Sequence, residues 1–161
     1  MENTYFDIDL FEKNCKQSLA IINLNYDSKF KKNIHYESIS NFYLSLKKMN
    51  LESNELMKYR VLLADYLDLI TKEKEKILEE NSQENYSKYV EPIGVYLAEK
   101  DDFALRGYII FIFIGISMGL FLTVLFRNYI WVLYGTFIVI LLRIVYLNKK
   151  RKQNKLYGYQ F

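Results

Sequence analysis

The sequence predicts an all-α membrane protein. An N-terminal helical domain of three to four helices, able to form a small bundle, precedes a C-terminal two-helix transmembrane hairpin. Two long apolar runs, over 107–126 and 129–147, predict the hairpin. All 19 Asp and Glu lie in residues 1–106, so the second half carries only basic charge. Residues 1–106 also contain one Gly and one Pro, and this scarcity of turn residues favours long helices.

Four stretches of the first half repeat apolar residues at helical spacing and are predicted to be helices. They run over 5–24, 36–49, 53–80 and 92–106. Ser53 is a residue type that caps helix N-termini, and Pro92 is well tolerated at a first helical position. Residues 20–26 partly alternate as a strand would, but a lone strand has no obvious partner.

The helical stretches divide the first half into two parts. We assign residues 1–91 to a cytosolic helical domain and residues 92–106 to an amphipathic juxtamembrane helix. That helix either lies in the membrane interface or runs straight into the first span. Asp101 and Asp102 come just before the span, and we expect them to cap its N-terminus. The apolar stripes of the domain either form a modest core of their own or leave one stripe open for a partner helix.

Two spanning helices fit the C-terminal half better than one. The run Gly107–Phe126 has 20 uncharged residues, which make ~30 Å of helix and match the thickness of a hydrocarbon core. The run 129–147 contains one charge, Arg143. We therefore predict transmembrane helices over 107–126 and 129–147, joined by a short extracytosolic turn at 127–128. Asn128 is the expected reversal residue, because Asn tolerates a left-handed backbone.

Basic residues predict the orientation of the hairpin. The tail over 148–161 is basic, whereas the turn carries Arg127 alone. Four consecutive basic residues of the tail are Lys149, Lys150, Arg151 and Lys152. The bias puts both termini in the cytosol, with Tyr108 and Trp131 at the headgroup level. The acidic and polar start does not fit a signal peptide, and the single Cys15 fits a reducing compartment. The expected location is a bacterial inner membrane.

Small residues predict where the spans pack. Gly115 and Gly119 form a GxxxG spacing in the first span, and Gly135 of the second span can pack opposite them. This spacing serves equally for packing within one hairpin and for self-association of hairpins. Three hydroxyl residues are expected to add hydrogen bonds between helices: Ser117, Thr123 and Thr136.

Arg143 is the only ionisable residue within either predicted span. It lies about 6 Å along the helix from Leu147, so its side chain can reach the headgroups. There it joins the basic tail in binding anionic lipid headgroups. Because this charge flanks a membrane segment, nucleic acid is not an expected partner. The uncharged aromatic end over 156–161 either docks onto a partner or folds back to the interface.

Few residues fit a catalytic role. A phosphate-binding loop needs clustered glycines, and a zinc site needs several Cys, His or carboxylate ligands. Cys15 and His35 make a nucleophile and base only if the fold brings them together, and core and loop roles are the simpler interpretation. Asp65 and Asp68 share a helical face, but a solvated acidic face explains them. We expect no catalytic residue, no metal site and no cofactor.

The expected function is that of a non-enzymatic adaptor or accessory subunit. It is anchored in the lipid bilayer and binds a protein partner at the cytosolic membrane face. The alternative is a self-assembling two-span effector or channel, gated by the cytosolic domain and associating through Gly115 and Gly119. An enzyme acting on lipid is a third interpretation, and the residues favour it least.

Overall fold

The computed structural model describes residues 8–49, 53–72 and 82–158, which are mainly helical. They belong to two compact units: a helical unit, drawn from 1–103 and 157–161, and a hairpin unit, 104–156. The helical unit contains α1 (Ile8–Asn25), α2 (Ser28–Asn33), α3 (Tyr36–Lys48), α4 (Asn54–Lys72), α5 (Ser82–Asn85), a π-helical segment (Tyr86–Val90) and α6 (Glu91–Asp101). The later elements are β1 (Ala104–Leu105), α7 (Ile109–Phe126), α8 (Ile130–Lys152) and β2 (Leu156–Tyr157).

The core of the helical unit forms where α1, α3, α4 and α6 pack on one another. Each helix turns residues three and four positions apart inward, as a one-sided apolar stripe requires. On α1 these are Phe11, Cys15, Leu19 and Ile22. On α4 the buried apolar residues are Leu56, Leu63, Tyr66, Leu67 and Ile70.

The first three predicted helices are confirmed within the described residues. Residues 20–26, which partly alternate, belong mostly to α1 and form no strand. Ser53 caps α4, because its Oγ accepts a hydrogen bond from the Leu56 backbone N at 3.1 Å. Residues 73–80, the end of the third predicted helix, lie outside the described residues.

Arg60 closes the C-terminal end of α3, a role that no sequence pattern indicated. Its Nε and Nη2 donate to the Leu46 carbonyl at 3.1 and 2.7 Å, and Nη2 also donates to the Met49 carbonyl at 2.7 Å. The last carbonyls of a helix have no partner within it, so a buried guanidinium satisfies them. Burial lowers the pKa of Arg60.

Pro92 lies in the first turn of α6, as the sequence predicted, but no loop precedes this helix. The chain is helical from Ser82, and the π-helical segment Tyr86–Val90 ends directly before Glu91. Proline cannot donate a backbone hydrogen bond, and its ring clashes with the carbonyl four residues earlier. The wider π turn ends with a hydrogen bond from the Glu91 backbone N to the Tyr86 carbonyl, one residue before the proline.

The helix predicted over 92–106 is too long, and it does not run into the first span. It ends at Asp101, and Asp102 takes a left-handed backbone with φ of 54°. Asp102 is thus the C-cap of α6 and does not cap the first span, which starts at Ile109 without a side-chain cap. Ala104 and Leu105 form an extended segment between α6 and the first span. Asp101 and Asp102 therefore lie too far before the span to cap it. The buried face of α6 lies in the core of the helical unit.

The hairpin unit contains two helices long and apolar enough to cross a membrane: α7 with 18 residues and α8 with 23. They reverse direction between Phe126 and Ile130. Arg127 takes the left-handed conformation, with φ of 52°. The Asn128 Oδ1 accepts from the Ile130 backbone N at 3.0 Å, which makes an Asx turn just before α8, and the left-handed conformation falls on Arg127 instead of the predicted Asn128.

The structure contains two short strands, which the predicted all-α class did not include. β1 and β2 form a two-stranded sheet, beside which the Ala104 backbone N donates to the Lys155 carbonyl at 2.9 Å. Ala104, Leu147 and Leu156 form a small buried cluster in the hairpin unit. The sheet pairs residues more than 50 positions apart. A pattern among neighbouring residues in the sequence cannot predict such pairing.

Candidate functional site

The glycine seam, defined as Gly115, Gly119 and Gly135, is the contact line between α7 and α8. A Cβ on Gly115 would lie 2.6 Å from the Thr136 Cα, and a Cβ on Gly119 would lie 2.5 Å from the Val132 Cα. A Cβ on Gly135 would lie 2.8 Å from the Gly119 Cα. Backbone meets backbone here, and any side chain would push the helices apart.

The second helix of the same chain therefore fills the surface that a GxxxG pair offers. The hydroxyl groups do not bridge the two helices as expected. Each donates to a carbonyl four residues earlier in its own helix at 2.9 Å: Ser117 to Phe113, Thr123 to Gly119 and Thr136 to Val132. In an apolar medium, this local bond satisfies the hydroxyl without a partner helix.

Arg143 binds the backbone where the chain enters the hairpin. Its Nε donates to the Gly107 carbonyl at 3.3 Å, and its Nη2 donates to the Leu105 carbonyl at 2.5 Å. The guanidinium carbon lies 4.1 Å from the ring centroid of Phe111 and 5.3 Å from that of Tyr146. Two backbone acceptors and two aromatic rings therefore hold the guanidinium against its own unit.

The basic tail is partly helix and partly buried. α8 continues through Lys152, with Lys149, Arg151 and Lys152 exposed. Lys150, predicted to anchor in lipid with them, is buried, and its Nζ lies 5.4 Å from the ring centroid of Tyr146. Three cations of the cluster therefore face outward at the end of α8.

The predicted interfacial aromatics lie near the two ends of the hairpin helices. Tyr108 is exposed and precedes α7 directly. Trp131 lies in the first turn of α8. The centroid of its ring lies 5.0 Å from the ring centroid of Phe126 and 6.0 Å from that of Tyr134. This aromatic cluster at the turn fits the headgroup level of a membrane.

Cys15 and His35 occupy different structural roles. Cys15 is buried in the core on α1, and burial raises the pKa of its thiol to about 12. A thiol that stays protonated at neutral pH is a poor nucleophile. His35 is buried, is the N-cap of α3 with φ of 57°, and places its ring 5.2 Å from that of Tyr86. Within the described ranges, no group of three His, Cys, Asp or Glu could hold a metal ion.

The outer face of α1, defined as Leu10, Ile21 and Leu24, is an exposed apolar surface of the helical unit. These side chains are 53%, 36% and 83% exposed. Leu10 and Ile21 are 11 residues apart, which is close to three helical turns, and Leu24 follows within one turn. All three therefore lie on one side of α1, away from the buried stripe that contains Phe11 and Cys15.

A polar groove between α1 and α4 adjoins this face. It encloses about 210 Å³ and is lined by Asn14 and Ser18 on one side and by Asp65 and Asp68 on the other. Asp68 pairs with the Lys72 Nζ at 2.5 Å. The two acids do share one helical side, as predicted, and they lie on the surface of the unit.

The C-terminal segment enters the helical unit, and the sequence left its placement undecided. Tyr157 is buried in the core, with its ring against Gly94 of α6 and 6.0 Å from the ring centroid of Phe42. The Gly158 backbone N donates to the Ser38 Oγ at 3.2 Å. The signal available in the sequence was Gly94, a glycine inside a helix, which often marks a close approach by another group. Residues 159–161, the rest of the aromatic end, lie outside the described residues.

Comparisons of the chain with protein-family models, curated proteins and solved structures found no match.

Proposed function

We propose that this protein is a membrane-anchored adaptor. The hairpin unit spans the bilayer, both termini face the cytosol of a bacterial cell, and the helical unit binds a protein partner through the outer face of α1. No catalytic step is part of this proposal.

The outer face of α1 carries the proposal. Three large apolar side chains on one side of a helix remain in water, which costs free energy that a partner would recover on covering them. The neighbouring groove presents Asp65, which has no ion-pair partner among the described residues. The partner surface that fits is therefore an amphipathic helix with apolar residues on one side and a Lys or Arg at its edge.

Charge and hydropathy support the anchor and its orientation. α7 and α8 have mean hydropathies of 2.7 and 2.2 in their most apolar windows, and little of either is buried. Exposed Lys149, Arg151 and Lys152 end α8, whereas Arg127 stands alone at the turn. By the positive-inside rule, this charge bias supports a cytosolic position for the end of α8.

The alternative, a self-assembling effector, was based on self-association through Gly115 and Gly119. Gly115 and Gly119 are in contact with the second helix of their own chain. This contact within one chain supports an anchor that is complete as a single hairpin.

The test is recovery of a complex of fixed composition. The full-length tagged protein is purified from its native membrane in mild detergent, and complex mass and protein content are measured together. We expect a second protein at a constant ratio, lost in the variants Ile21→Lys and Leu24→Lys. Val95→Lys is the matched control, because Val95 is an exposed apolar residue of α6 in the same unit.

Two outcomes would reject the adaptor. One is a complex that survives both α1 substitutions, and the other is a homo-oligomer with no second protein. Slow alkylation of the buried Cys15 in every variant shows that the helical unit remains folded.

A further inference from the structure

We propose that the hairpin unit holds one anionic phospholipid. One acyl chain would lie in a groove between α7 and α8, and the phosphate would bind the guanidinium of Arg143. This inference rests on the membrane insertion proposed above, and it adds a ligand of defined chemistry to the hairpin.

The groove has the dimensions and lining of a lipid site. It is an open groove of about 510 Å³, lined by Phe111 and Ile114 of α7 and by Val139, Leu142, Arg143 and Tyr146 of α8. Small-molecule sites of this size are mostly apolar, with a few polar groups that fix the ligand. Here the aliphatic and aromatic walls suit a hydrocarbon chain, and Arg143 is the charged group.

Arg143 is held in place before any lipid arrives. Its Nε and Nη2 are fixed by the Gly107 and Leu105 carbonyls, and its plane is close to the rings of Phe111 and Tyr146. Among the described residues, no protein acceptor binds its Nη1. A guanidinium with a free edge is well suited to phosphate oxygens, which it recognises through directed N–H donors.

The surroundings favour an anionic headgroup over a neutral one. Residues 104–156 contain eight Lys and Arg and no Asp or Glu, so no carboxylate of the hairpin unit competes for Arg143. The Lys150 Nζ lies 5.4 Å from the ring of Tyr146, whose ring is also close to Arg143. Two cations thus flank one ring, and their combined potential attracts a phosphate that carries net charge.

A built site differs measurably from general attraction by the tail. Exposed cations at the end of α8 would attract many anionic lipids weakly and exchange them rapidly. A fixed guanidinium beside an apolar groove predicts one lipid per chain that survives extraction into detergent.

The experiment uses the full-length protein incorporated into vesicles of phosphatidylglycerol and phosphatidylcholine at equal amounts. After extraction in mild detergent, native mass spectrometry counts the lipids retained per chain. We expect one phosphatidylglycerol and no phosphatidylcholine. Arg143→Gln and Val139→Trp should each reduce retention at least tenfold, the first by removing the charge and the second by filling the groove.

Arg127→Gln is the matched control, since it removes an arginine at the opposite end of the hairpin. Because Arg143 also binds two backbone carbonyls, its loss could unfold the unit, and Val139→Trp tests the groove with that arginine in place. Equal retention of the two lipids, or unchanged retention in Val139→Trp, would overturn the inference. Resistance of every variant to alkaline extraction from the vesicles measures insertion separately, so a failed anchor is distinguishable from a missing lipid site.

Discussion

The ring of Tyr157 occupies the space that a side chain on Gly94 would need. The two residues are more than 60 positions apart, and both are buried in the helical unit. Ser38 fixes the backbone beside the ring by its hydrogen bond to Gly158. A residue that follows the second apolar helix therefore completes the core of a unit built from the start of the chain.

Gly94→Ala should destabilise the helical unit by about 1–3 kcal/mol, because a Cβ there meets the ring of Tyr157 within a packed core. The alkylation rate of Cys15, the single cysteine, reports opening of that core and should rise. Gly107→Ala is the matched control, since a Cβ at that position meets nothing within 4 Å. Equal rates in the two variants would show that Tyr157 does not pack there.

Tyr157→Ala should cost about 3 kcal/mol in free energy of unfolding, as expected for removal of a buried aromatic ring. Tyr157→Phe keeps the ring and should change stability little. The cost of Tyr157→Ala should be smaller in a Gly94→Ala background, because the added methyl group partly fills the space and no longer clashes. Urea unfolding of the wild type, Gly94→Ala, Tyr157→Ala and the double variant measures this coupling. If the costs of the two single substitutions simply add in the double variant, the contact is contradicted.

Arg60→Met should destabilise the helical unit by about 2–3 kcal/mol. The change leaves the Leu46 and Met49 carbonyls without their charged donor at the end of α3. Lys58→Met, an exposed position on the same helix, is the control and should have little effect. Thermal unfolding, followed by circular dichroism, compares the two variants. An unchanged unfolding temperature for Arg60→Met would show that water replaces the guanidinium at no cost in stability.

Gly119→Ile should separate α7 from α8 without changing the mass of the protein in detergent. Its side chain would meet the Val132 backbone and the Trp131 carbonyl. Trp131 is the single tryptophan, so its fluorescence reports the hairpin directly and should change. Met118→Ile, at an exposed position of the same helix, is the control. A fall in oligomeric mass with unchanged fluorescence would instead indicate association between chains through this glycine.

Stability should fall at alkaline pH through Cys15. Burial raises the pKa of the folded thiol from 9.0 to about 12, so the unfolded chain releases its proton first. The contribution of the protonated Cys15 thiol to the stability of the folded state is fully present below the pKa of the unfolded thiol. It is lost as the pH rises toward the pKa of the folded thiol. Its slope approaches about 1.4 kcal/mol per pH unit. Tyrosines titrate in the same range, so the measurement compares the wild type with Cys15→Ala. The free energy of unfolding in urea is measured for both as a function of pH, and parallel profiles would contradict the prediction.

Elements defined by near neighbours in the sequence were predictable. The inward stripe of α1 repeats every three or four residues, and the apolar runs of α7 and α8 have the length of a bilayer. The cap at Ser53 was equally visible, because an N-cap bond reaches only three residues ahead.

Features that depend on distant residues were not predictable. The bond between Ser38 and Gly158 joins residues 120 positions apart, and Arg143 binds a carbonyl 38 positions before it. A local pattern carries no information about such pairs. The glycine spacing predicted a helix-packing position, but the same spacing suits packing within one hairpin or between two; in the structure these glycines contact the second helix of their own chain.

The placement of Tyr157 has a consequence for how the protein is made. Residues 8–103 are synthesised before the hairpin, so the early helices are made while the space beside Gly94 is still unfilled. That space is filled only after Tyr157 has been synthesised, which follows synthesis of both apolar helices. Completion of the helical unit thus follows synthesis of the hairpin, and a chain truncated before residue 157 would lack one buried ring of the core.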